Sequence, residues 1–165
     1  MKKFLLFTFL ISTLLFSIYF LYRSYGFIFF VKDHQIIKLV LKKNFFAKEQ
    51  KELLVEVVNR QESTAKGLSL RNDLESKTGQ KIDGLLFIFP KKEIRRFWMK
   101  DMLFDIDICW LNNLAFSSCE RKVPFSSSNQ NLTIYSSPLA TNLVLETKAD
   151  KLSDDELKLK LFFKW

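Results

Sequence analysis

Glycine, histidine and cysteine are all scarce in this chain of 165 residues, and each scarcity removes a chemistry. The 4 glycines, Gly26, Gly67, Gly79 and Gly84, are dispersed. A nucleotide-phosphate cradle needs clustered glycines, because side chains would block the close backbone approach. P-loop and dinucleotide-fingerprint sites are therefore excluded. One His and two Cys cannot build a His/Cys zinc cage within one chain, so no metal site is expected and no cofactor is implied. Histidine acid–base chemistry would rest on His34 alone. What the chain has in excess is phenylalanine, 18 residues, which lifts the aromatic share to 15%. Eight of those Phe and three of the 4 Tyr lie within residues 1–31, so most of the excess belongs to one short segment.

That segment carries an uncharged run from Phe4 to Tyr22, FLLFTFLISTLLFSIYFLY, flanked by Lys2, Lys3 and Arg23. As a helix it would span roughly 28 Å, close to the hydrocarbon thickness of a bilayer. A core helix is rarely apolar on every face for five turns, so the expectation is a single membrane span with the lipid bilayer as partner of residues 4–22. A cleaved signal peptide is the rival, but no small-x-small site follows the run. Residues 1–31 are therefore read as an uncleaved signal-anchor. The second apolar pulse, Phe27 to Val31, would extend the span or lie in the interface. Residues 32–51 then read as a basic connector, and residues 52–165 as the folded domain. Within the connector, Ile36 to Leu41 suits a strand or a juxtamembrane helix, and His34 is expected to face solvent or lipid headgroups.

The formal net charge is +8, and the anchor supplies +3 of it, leaving +5 on the rest. This excess is mild. Doublets such as Lys42-Lys43, Lys91-Lys92 and Arg95-Arg96 read as solvated faces or anionic-lipid contacts. None is interleaved with exposed aromatics as a single-strand binder requires, so no nucleic-acid partner is expected.

Beyond the connector the pattern is mainly β. Leu53 to Val58 is rich in β-branched residues, and Gly84 to Phe89 is a continuous apolar strand that Pro90 closes. Between them Gln61 to Leu70 has helical character, with Gly67 inside the helix for a packing reason. Phe104 to Leu111 alternates, and Asn112-Asn113 suits a two-residue hairpin turn. That turn would pair Cys109 with Phe116 and put Cys119 on the opposite face, which argues against a disulfide. Val123 to Asn131 reads as a loop, with a glycosylation sequon at Asn131. Leu132 to Tyr135, Asn142 to Glu146 and Leu157 to Phe163 complete the strands. Many short strands with one helix point to a sandwich or flattened barrel, and the expected architecture is a compact sandwich or jelly-roll-like domain with one short helix, behind an N-terminal transmembrane helix.

Ordered segments of the chain then resemble a known family. They are Gly67-Leu68-x-x-Arg71, Gly84 to Phe89, Phe97-Trp98-Met99-Lys100-Asp101, Asp107-Ile108, Val123-Pro124, Tyr135-Ser136-Ser137 and Val144-Leu145-Glu146. Together they resemble the domain of unknown function 192, found in prokaryotes and often carried behind a signal peptide or anchor. The resemblance spans about residues 52–163 and implies a compact, mainly-β domain with no settled activity. Asp101-Met102 stands where that family usually has Asn-Thr, and Asp105 where it often has Pro.

The polar residues of these segments, Arg71, Lys100, Asp107, Tyr135 and Glu146, form the candidate binding cluster. Arg supplies a planar fork, Lys a point charge, and the carboxylates accept from hydroxyls. The blander reading is ion pairs, Lys100–Asp107 and Arg71–Glu146, that fix strand register. Phe97, Trp98 and Met99, the apolar signature, are expected to be core before platform. The leading functional expectation is a membrane-anchored, non-enzymatic module at the cell envelope, with its domain outside the cytoplasm, that binds a small molecule or envelope partner. The alternative is a hydrolase or transferase built on Lys100, Asp107 and Glu146. A cytoplasmic-facing domain with a basic surface is the third, because the charges flanking the run are ambiguous.

Overall fold

The computed structural model describes residues 2–25, 31–125 and 132–164, with the side chains of the first helix described over residues 7–18. It divides into residues 1–31 and residues 32–165. In the first unit the uncharged run is helical, as α1 (Lys2–Tyr25). Phe7, Phe9, Leu10, Leu14, Leu15 and Phe16 are all exposed along it. Among the described residues no helix is long and apolar enough to cross a membrane. Most of the second apolar pulse, at residues 27–30, and the sequon at Asn131 lie outside the described residues.

The second unit is mainly β, with strands β1 (Ile36–Lys42), β2 (Lys51–Val58), β3 (Gly84–Glu93), β4 (Arg96–Trp98), β5 (Ile106–Asn112), β6 (Ala115–Val123), β7 (Ile134–Ser136), β8 (Thr141–Lys148) and β9 (Lys160–Lys164). Helix α2 (Gln61–Lys66) follows β2. Seven strands close a barrel in the order β1-β2-β3-β8-β5-β6-β9, and β4 with β7 forms a separate ribbon. The unit is mainly β as expected, and of the sandwich, jelly roll and flattened barrel that the strand pattern allowed, it is a closed barrel. The physical reason lies in the connector. Residues 36–42 are not a spacer before the domain but a strand that pairs antiparallel with both β2 and β9, and so seals the sheet. Closure removes the open edges that a sandwich leaves.

Strand register sorts the side chains into two faces, because residues directly opposite one another share a face. One face carries Leu39, Leu53, Val55, Val57, Leu86, Leu143, Leu145, Cys109 and Leu161, and this fills the barrel, with the buried Asp107 and Thr147 on the same face at one end of β5 and β8. The other face is polar on β1 and β2, where Lys38 meets Glu52. Over β3, β5 and β8 it is apolar instead, and there Leu85, Phe87, Ile108, Trp110 and Val144 pack against Leu68, Met99 and Met102. The segment after α2 and the β4 turn therefore cover one side of the barrel, and Gly67-Leu68-x-x-Arg71 and Phe97 to Asp101 lie in that cover.

Three local details depart from expectation. Strand β3 runs on through Pro90 to Glu93, but its ladder with β8 is interrupted between Ile88 and Glu93. A residue without an N–H is tolerated at such a gap. Gly67 does not sit inside α2 but ends it, at φ +52°, with its N–H returned to Ser63 O at 2.9 Å. The β5–β6 turn is Asn113-Leu114, both at positive φ, and a register shift follows between Trp110 and Leu111. Both shifts move the partner of Cys109 from Phe116 to Cys119, and the two cysteines form a disulfide. The expectation of unpaired thiols is corrected: a one-residue displacement of the turn plus a bulge restores face parity.

Candidate functional site

Glu146 is the residue around which a site is built. It projects from β8 onto the covered face, paired across the sheet with Leu85 on one side and Ile108 on the other. Only 5% of it is exposed, and its Oε2 has no hydrogen-bond partner among the described residues. Burial pushes its carboxyl up to about 8, with Arg71 pulling the other way. At neutral pH the group is therefore mostly protonated, and it presents an O–H donor beside an acceptor oxygen.

A cleft of about 370 Å³ opens above this carboxyl. Phe87, Phe89 and Phe97 form its aromatic base; Phe97 stands edge-on to Phe87 at 4.9 Å between centroids and to Trp110 at 5.4 Å. Helix α2 lends Gln61 and Thr64 to one wall. Gly67 sets the depth of the cleft: a Cβ there would lie 3.2 Å from Phe87 Cζ and 3.7 Å from Glu146 Oε2. Lys66, Ile94, Arg96 and Trp98 stand at the mouth. The Arg95 guanidinium lies 4.0 Å over the Phe89 ring, is paired with Glu93, and donates to Thr141 O, so it is spent on the wall.

The Gly67–Arg71 and Phe97–Asp101 segments meet here through backbone. Leu70 N–H donates to Asp101 O at 2.8 Å, and Ser69 Oγ donates to Lys100 O at 2.9 Å. Leu70 and Asp101 both adopt positive φ to make this junction. The carbonyl of Lys100 is thus structural while its ammonium is exposed and outside the cleft.

Of the five polar residues expected to cluster, the structure brings Arg71 and Glu146 into one neighbourhood and disperses the others. Sheet parity separates Asp107 from Glu146: Asp107 faces Thr147 while Glu146 faces Ile108, so the two carboxyls project from opposite faces. Asp107, 1% exposed, accepts from the N–H groups of Lys122 and Asp150 and pairs with Arg121 at 3.2 Å. The expected Lys100–Asp107 pair is replaced by Arg121–Asp107. Tyr135 is half-buried on β7 opposite Phe97, packed on the core and outside the cleft lining. In the apolar signature Met99 is buried and Phe97 half-buried, but Trp98 is 55% exposed, which corrects the expectation that its ring is core.

Arg71 does not pair with Glu146 as expected. It donates to Glu56 Oε2 at 2.7 Å and to Glu75 O at 2.5 Å. Glu56 is wholly buried, and its other oxygen lies 2.6 Å from His34 Nδ1. Beyond His34, Nε2 is 3.4 Å from Asp33 Oδ2. Burial raises the Asp33 carboxyl, but the Ser63 hydroxyl, the Asn59 N–H and His34 more than offset it and hold the group below the usual range. His34 is accordingly half-buried and held by carboxylates, part of a polar row that runs from Asp33 through Glu56 to Arg71. Glu56 and Glu146 flank Leu85 in one register row, two strand spacings or roughly 10 Å apart. Among the described residues no group of three His, Cys, Asp or Glu is arranged to hold a metal ion.

A closed seven-stranded barrel with a lateral cleft over a buried, unpartnered carboxyl defines the class of protein. The family profile described as DUF192, Uncharacterized ACR, matches residues 42–159, and the chain belongs to this family. No curated protein matches the sequence. The chain is similar to a crystal structure from Sinorhizobium meliloti 1021 described as a "putative transcription regulator", with a TM-score of 0.61 at 18% identity, covering 81% of this chain and 97% of that one. A protein of unknown function from Novosphingobium aromaticivorans DSM 12444 gives a TM-score of 0.60 at 18% identity, over 82% and 89% of the two chains. At that identity the likeness concerns the fold alone.

Proposed function

We propose that the protein is a membrane-tethered module of the cell envelope that binds a small molecule in the Glu146 cleft. The observation that carries this is the unpartnered Oε2 of a buried carboxyl at the base of an open, aromatic-lined cavity. Leaving such an atom without a partner costs about 1–3 kcal/mol, which a ligand that supplies one recovers. A mostly apolar cleft with a few convergent polar groups is the usual form of a small-molecule site.

Support for the tether is the uncharged run at residues 4–22 and the exposed apolar side chains all along the described part of α1, which need a cover that lipid supplies. Support for the envelope is the Cys109–Cys119 disulfide, since such bonds persist in oxidising compartments. A hydrolase or transferase on Lys100, Asp107 and Glu146 draws no support from the geometry, because those side chains do not converge. The test is a thermal-shift screen of small molecules on the full chain in lipid nanodiscs, run beside Thr64→Trp, which fills the cleft from its wall. Hits that stabilise the parent chain and not the filled variant are expected. Hits that stabilise both alike, or no hits, would count against the cleft as the site.

A further inference from the structure

Charge is distributed unevenly around the cleft, and the asymmetry restricts what can occupy it. The charged residues that line the mouth are positive, Lys66 on α2 and Arg95 and Arg96 before and within β4, and the one carboxylate beside them, Glu93, is paired with Arg95. Arg95 is consumed by Glu93, Thr141 O and the Phe89 ring. Lys66 and Arg96 make no ion pair among the described residues and are exposed. Two unspent cations at an aromatic-lined mouth attract an anion and repel a cationic ligand.

The base of the cleft has the opposite requirement. Glu146 is the only acidic residue of the lining, and its free oxygen sits among Phe87, Gly67 and the backbone at the end of α2. The residues it faces across the sheet, Leu85 and Ile108, are apolar, and the charged group whose field reaches it is Arg71, already held by Glu56. A neutral hydrogen-bonding group of a ligand can meet that oxygen there, whereas a second full charge would be stranded in a dry site. The space between is bounded by flat rings. Phe87, Phe89 and Phe97 present edges and faces from within, and the exposed Trp98 stands at the opening as a platform. Such an arrangement suits a flat apolar body, since ring pairs gain from edge-on and offset contacts.

We infer that the ligand is an anionic aromatic small molecule, with its charge at the Lys66 and Arg96 mouth, its ring against Phe97 and Trp98, and a neutral hydrogen-bonding group at Glu146. This rests on the reading of the cleft as a ligand site. It adds an orientation and a charge sign that the reading alone lacks.

A charge series on one ring tests it: 2-naphthoate, 2-naphthamide and 2-naphthylmethylammonium, with decanoate as a non-aromatic anion. Binding to the full chain in zwitterionic nanodiscs is followed by equilibrium dialysis, with empty nanodiscs subtracting uptake by lipid. Naphthoate should bind more tightly than both the amide and the ammonium ion, and Arg96→Gln combined with Lys66→Gln should weaken it about tenfold while leaving the amide unchanged, the combined loss expected for two exposed charge pairs. Raising the pH from 6 to 9 should weaken naphthoate binding to the parent chain, because an ionised Glu146 opposes the anion. In Glu146→Gln, a mimic of the neutral acid, that pH dependence should be absent. Ammonium binding as tight as naphthoate, or decanoate tighter than naphthoate, would overturn the ligand class and leave the cleft as a site. An equal loss with pH in Glu146→Gln would overturn the placing of Glu146 at the base of the bound ligand. Absence of binding by the whole series, in parent and variants alike, would overturn the cleft reading itself.

Discussion

Two tryptophans illustrate how differently residues of one type are used. Trp110 on β5 is wholly buried against Phe97, and its removal should leave a large cavity in the cover, costing roughly 3–5 kcal/mol in chemical denaturation as Trp110→Ala. Trp98, 55% exposed at the mouth of the cleft, should cost less than about 1 kcal/mol as Trp98→Ala. Equal costs would show that Trp98 is core. Glu146 makes a second residue-scale prediction. The unfolded chain ionises this carboxyl near its ordinary value of 4.5, while the fold holds it neutral up to about 8. Its folded-state value is raised, so the neutral form is favoured by the fold and its stabilising share is full below about 4.5. That share is lost as pH rises towards 8, at up to about 1.4 kcal/mol for each pH unit. Denaturation from pH 5 to 9 should therefore show stability falling and then levelling, and Glu146→Gln should flatten this component. An unaltered slope in the variant would mean that other groups cause it. Arg71 and Glu146 were legible beforehand only because ordered motifs pointed to them. Glu56 was missed although its signal was present: one carboxylate inside Leu53-Leu54-Val55-Glu56-Val57-Val58 must be paired if that strand is buried. His34 was expected to face solvent or headgroups, because its partner Glu56 lies on β2 and not in its own segment.

At the scale of elements, the strands themselves were largely legible, since alternation and β-branching mark β2, β5 and β8 directly. Pairing was not, because register depends on turn geometry and not on propensity. Asn112-Asn113 has the composition of a hairpin turn, yet the bend falls at Asn113-Leu114, and the bulge that follows adds a residue to β6. A Leu in the left-handed region is unfavourable locally, so tertiary packing overrides turn preference: Leu114 is buried and its carbonyl accepts from Leu161 N–H on β9 at 2.8 Å. That register error concealed the disulfide. The bridge closes a loop of 10 residues in sequence separation, and constraint of the unfolded chain over such a loop is worth at most about 3 kcal/mol. Cys119→Ala should lose up to that amount, measured against the oxidised parent chain. Reduction of the parent should produce a similar loss, and a variant as stable as the oxidised parent would show that the bridge contributes nothing to stability.

At the scale of the whole molecule, the segment between the uncharged run and the first obvious strand is part of the barrel. Strand β1 carries Leu39 and Leu41 into the interior and pairs with β9, which lies at the other end of the described chain. Under the proposed tether, the side of the membrane on which the barrel lies follows from the orientation of the uncharged run. Flanking charge does not decide the side, because basic residues lie both before and after the run. The disulfide provides an independent readout. Cells are quenched in acid to stop thiol exchange, then denatured and alkylated, so that burial of Cys109 does not matter. An envelope domain should show both cysteines blocked from the alkylating reagent until a reductant is added. Labelling of both without reductant would place the barrel in a reducing compartment, remove the envelope assignment, and leave the cleft to a ligand of the cytoplasm.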